Sequence, residues 1–69
     1  MGDATRHLGE ARAAHEAAAE KLLRMFHLVR QAEPSDRAGL ARLFAQAQAE
    51  YDATQAALQE ARARVRRRA

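Results

Sequence analysis

Three histidines, nine carboxylates and a closing run of arginines are the residues of this 69-residue chain that could do chemistry. His15 opens the stretch HEAAAE at 15–20. A zinc-hydrolase helix needs a second histidine one turn after the first, and here that place is filled by alanine, so activation of a metal-bound water by that route is unavailable. His7 and His15 are eight positions apart, about two helical turns, which is too far to chelate one ion from a single helix. Glu16 and Glu20 have a four-residue spacing, but di-metal bundles turn their carboxylates inward beside an ExxH pair. The pattern described below places both on the outside. Ser35 follows Pro34 at a break in the chain, where its hydroxyl suits a helix cap better than a nucleophile. There is no cysteine, and no glycine-rich phosphate loop follows a strand. The residues therefore predict no catalytic, cofactor or metal site, and a protein that is not an enzyme.

The arginines raise a different chemistry. Residues 1–61 carry seven basic and nine acidic groups, a balance of −2, whereas residues 62–69 carry +5. Arg62, Arg64, Arg66, Arg67 and Arg68 are candidate phosphate contacts, since guanidinium groups neutralise a nucleic-acid backbone without reading its bases. A reading element is missing. The aromatic residues are Phe26, Phe44 and Tyr51, two or three of which the core claims, and there is no turn of helix-turn-helix length. Cations at a helix C-terminus also interact favourably with its dipole, and in a hairpin Asp3 and Glu10 lie close enough to offset part of the charge. The tail is expected to be a solvated, frayed helix end with incidental phosphate affinity. An RNA- or DNA-binding regulator using these arginines is the alternative.

What must position these residues is helical. The one punctuated segment is EPSDRAG at 33–39, where Pro34 excludes a continuous helix and Ser35 or Asp36 can cap a new one. Asp3 is the candidate cap of the first helix. Alanine-rich sequence on either side predicts helix 1 over about 4–33, a turn over about 34–36 and helix 2 over about 36–66, in one domain spanning 1–69. Each helix is roughly 45 Å long at 1.5 Å per residue. Two such helices joined by so short a break fold back as an all-α antiparallel hairpin.

Heptads run through both. Leu8, His15, Leu22 and Val29 occupy a in helix 1, with Ala11, Ala18, Met25 and Ala32 at d; Phe44, Tyr51, Leu58 and Val65 occupy a in helix 2, with Leu40, Ala47, Thr54 and Ala61 at d. Pairing positions whose numbers sum to 69 sets large against small: Leu22 with Ala47, Tyr51 with Ala18, Leu58 with Ala11 and Leu8 with Ala61. The same register sets His15 against Thr54, a polar layer suited to fixing alignment. Protonation of a buried His15 at mildly acidic pH is expected to disrupt that layer. Two surface pairs of favourable orientation, Glu20–Arg24 and Glu60–Arg64, are expected on the solvated faces.

More apolar residues gather near the break than one seam uses. Leu22, Leu23, Met25, Phe26, Leu28, Val29, Leu40, Leu43 and Phe44 are the candidate protein interface, for a second copy forming a four-helix bundle or for a helical protein partner. The architecture resembles that of small two-helix proteins, among them dimeric plasmid copy-control RNA-binding proteins and the hairpin co-chaperones of type III secretion needles. That resemblance covers the chain as a pattern, carries over no functional residue, and implies two classes: adaptor or co-chaperone, and RNA-binding dimer. No apolar run is long enough to span a membrane and residues 1–9 contain no secretory apolar core, so a cytoplasmic protein without membrane contact is the expectation.

Overall fold

Around Pro34 the backbone changes direction through four hydrogen bonds. The Ala32 amide donates to the Val29 carbonyl at 3.3 Å, Asp36 to Glu33 at 2.9 Å, Arg37 to Pro34 at 3.4 Å and Leu40 to Asp36 at 3.1 Å. The first is a tightened last turn that ends one helix, and the last is the opening i→i−4 bond of the next. Asp36 is thus the N-cap residue, with its carboxyl at the positive end of the second helix dipole.

In a computed structural model that describes residues 2–68, Arg68 in its backbone only, the chain forms α1 (Gly2–Gln31) and α2 (Arg37–Arg68). They lie side by side as an antiparallel hairpin with no strand among the described residues. The molecule is a rod of 52 × 13 × 12 Å. Three boundaries differ from the sequence reading, the first being the end of α1 at Gln31 where about 33 was expected. Asp3 lies inside the first turn of α1, where it acts on the dipole, not ahead of it as a cap. The second helix continues through Arg68, where fraying was expected near Arg66.

The seam follows the heptads. The sixteen a and d positions from Leu8 to Val65 are buried or half-buried, and among the other described residues only Ala4, the d position before Leu8, Ala19 and Ala63 are partly covered. Ala11, Leu58 and Ala61 form a buried cluster with Leu8 packed against it, which is the expected register. Alanine dominates this core: Ala47 is 0% and Ala61 1% exposed, and Leu58 is the single large side chain that is buried. Small residues let two helices approach closely, and facing leucine and tyrosine with alanine is the arrangement by which so narrow a seam can interdigitate.

Gly9 and Gly39 both sit in helix with ordinary backbone angles, and a Cβ added at either meets nothing within 4 Å. Glycine in a helix interior costs about 1 kcal/mol against alanine. Gly9→Ala should therefore raise the thermal midpoint by roughly 4–8 °C in a domain this small. Gly39→Ala, in the first turn of α2, should raise it less. Circular dichroism melts of both variants check this, and a lowered midpoint would mean that one glycine is needed for a contact outside the hairpin.

Candidate protein interface and polar layer

The middle of the seam is polar, as the register required. The Thr54 hydroxyl donates to the Tyr51 carbonyl at 3.0 Å, and His15 Nδ1 lies 3.4 Å from Thr54 Oγ1. A hydroxyl has one proton, and here the backbone carbonyl takes it. Oγ1 is then free to accept from His15 in the tautomer that carries a proton on Nδ1. The His15 ring also packs on Tyr51, centroids 4.7 Å apart and planes tilted by 39°. The register alone does not show that contact, because it sets Tyr51 against Ala18. No buried side-chain nitrogen or oxygen is left without a partner among the described residues.

Beside this layer, Lys21 Nζ donates to both carboxylate oxygens of Glu50, at 3.1 and 3.2 Å. Both residues occupy heptad position g, and in an antiparallel pair g lies beside g. The ion pair is half exposed, so its main effect is to mark one flank of the rod, not to stabilise it. Opposite charges at two g positions of the register were the signal that could have revealed it.

Of the candidate interface residues, Leu22, Met25, Val29, Leu40 and Phe44 are half-buried in the hairpin's own seam. Leu23, Phe26, Leu28 and Leu43 are the exposed ones, at 59, 42, 49 and 49%. These four are the residues the seam could not use. The structure divides them. Leu28 and Leu43 stand at g, one heptad nearer the turn than Lys21 and Glu50, and so share that flank. Leu23 and Phe26 stand at b and e on the opposite flank. There Ala19, Leu22, Leu23, Phe26, Phe44 and Tyr51 line a shallow apolar groove. Phe26 reaches Phe44, centroids 6.3 Å apart, and the Arg30 guanidinium lies over its ring at 5.6 Å. At 100° per residue, the apolar positions from Leu22 to Val29 sweep roughly 220° of the α1 circumference.

The arginines lie at the far end of the rod. Arg64 Nε is 3.6 Å and Arg67 Nη2 3.8 Å from the same Glu60 carboxylate oxygen. Arg64 and Arg67 also border a concavity with Asp3, Ala4, Arg6, His7 and Glu10. Three guanidinium groups there meet three carboxylates, counting Glu60. Arg62 and Arg66 are exposed and form no ion pair among the described residues. The Arg68 side chain lies outside the described set. Of the two expected surface pairs, Glu60–Arg64 forms and Glu20–Arg24 does not.

Among the described residues no three histidine or carboxylate side chains gather as a metal site, and no helix is long and apolar enough to cross a membrane. No protein-family model matches the chain, and neither a curated protein nor a solved structure matches it significantly.

The polar layer generates its own prediction. Replacing both partners, His15→Leu with Thr54→Ala, removes a long hydrogen bond and leaves no unpaired buried group, because the Tyr51 carbonyl keeps its helical donor. Thermal stability should be unchanged or higher, since apolar replacement of a matched polar pair is often neutral or stabilising. Thr54→Ala alone should cost more than the double change. A melting curve in which the double variant is the least stable would assign the layer a role beyond register.

Proposed function

We propose that this chain is a small non-enzymatic interaction protein of the cytoplasm, an adaptor, co-chaperone or assembly subunit that works through its turn-proximal half. The observation that carries the reading is the exposure of Leu23, Phe26, Leu28 and Leu43, all within about three turns of Pro34. Large apolar side chains gathered on one half of a narrow rod make a surface for another helical surface. The far half offers alanine and charge instead. Along a rod 52 Å long, the antiparallel hairpin thus keeps its apolar surface at one pole and its C-terminal arginines at the other.

A helical-hairpin regulator that binds RNA or DNA is the second reading. Arg62 and Arg66 favour it, as exposed cations with no ion pair among the described residues. The carboxylates of Asp3, Glu10 and Glu60 beside Arg64 and Arg67 weigh against it, because they oppose a phosphate backbone at the same place.

Tagged protein, recovered gently from its host and sorted into protein and nucleic acid, separates the two. The interaction reading expects a stoichiometric protein that is lost when Leu23 and Phe26 are both changed to glutamine, and kept with Arg62→Ala and Arg66→Ala. Duplex DNA or generic RNA should bind weakly and dissociate between about 50 and 200 mM salt, since few phosphates are neutralised. A structured RNA held through that range and released by the arginine changes would put the second reading first.

A further inference from the structure

On α1, Glu16, Ala19, Leu23, Phe26 and Arg30 follow one another at spacings of three, four, three and four. This is a second short heptad stripe beside the one that builds the hairpin. Its centre is apolar and exposed, with Leu23 at 59% and Phe26 at 42%, and its ends carry opposite charges. Glu16 and Arg30 each lie seven residues from Leu23, about 10 Å along the helix. Neither forms an ion pair among the described residues, and Arg30 is held at the rim of the apolar face by its position over the Phe26 ring. The α2 positions on this flank near the turn are Ala38, Ala41 and Ala45, all exposed and small enough to leave room for another helix.

The geometry points to a second copy of this chain as the occupant of the stripe, in a two-fold dimer with α1 antiparallel to α1. The inference rests on the interaction reading and names its partner and its face. With the axis between Leu23 and Phe26, Leu23 of each copy meets Phe26 of the other. Arg30 of each copy then reaches the level of Ala19 in the other, where a small residue admits its aliphatic stem. Its guanidinium is brought between Glu16 and Glu20. A parallel arrangement would instead set Arg30 against Arg30 and Glu16 against Glu16, so charge selects the antiparallel one. A two-fold interface must be self-complementary, and a stripe acidic at one end and basic at the other meets that requirement. The opposite flank does not: its apolar part is the pair Leu28 and Leu43, closed off one heptad away by Lys21 and Glu50.

Sedimentation of the whole chain tests this. The parent should exceed its 7.7 kDa monomer mass at high micromolar concentration. Glu16→Arg and Arg30→Glu should each weaken self-association roughly tenfold, because one reversal makes two like-charge contacts per dimer. An equal mixture of the two variants should recover dimer, since position 16 of each chain then faces a position 30 of opposite charge across the interface. Introduced as the sole thiol, Leu23→Cys should be joined to its copy by a short bismaleimide, and Leu28→Cys should not. Failure of the mixture to recover, or cross-linking through position 28 instead of 23, overturns the face. A helical parent that stays monomeric overturns the second copy as partner, whereas loss of the interaction reading itself would show as host protein captured equally by the Leu23 and Phe26 variants.

Discussion

Two helices can cover one another along only a single strip, and everything else about this molecule follows from how that strip is filled. Alanine holds most of its fully buried positions, with Ala11, Ala18, Ala47 and Ala61 buried and Leu58 the one large side chain to join them among the described residues. Alanine favours the helix and permits close approach, yet each one removes little apolar surface from water. The seam therefore adds only a modest increment to helices that are marginal alone. What stabilises the hairpin is continuity along thirty residues, not any single contact.

The same economy explains the unequal halves. Large side chains concentrate near Pro34 in greater number than one seam can use, and Leu22, Met25, Val29, Leu40 and Phe44 already fill it. Leu23, Phe26, Leu28 and Leu43 remain in solvent as a result. Charge is distributed to match: Lys21 and Glu50 close one flank at the boundary between the halves, and the open end balances Arg6, Arg64 and Arg67 against Asp3, Glu10 and Glu60. A rod with an apolar pole and a salted pole is a consequence of composition before it is a device.

Much of this is legible in the sequence. Pro34 marks the turn, and a heptad count places every buried residue because a period of 3.5 admits little else over four repeats. Summing positions to 69 places His15 beside Thr54, because that register sets large residues against small in the neighbouring layers. The four exposed residues are legible by subtraction. Their division between two flanks is legible only through the heptad letter, b and e against g, because distance from the turn groups them together. The His15–Tyr51 contact and the reach of Phe26 to Phe44 depend on rotamers, which spacing does not encode. Glu20 and Arg24 have the right spacing and still do not pair, in keeping with solvation competing against a weak surface contact.

The antiparallel register also sets an order for folding. Partners across the hairpin are 29 residues apart at Lys21–Glu50 and 39 apart at His15–Thr54, and the separation widens steadily toward the open end. Closing a loop costs entropy that grows with its length, so the layers beside the turn form most cheaply and each one shortens the loop left for the next. The chain closes like a zipper from Pro34 outward. Its most apolar stretch is then ordered first, before the alanine layers beyond it have met, and the arginine-bearing end is the last part of the hairpin to close and the first to open.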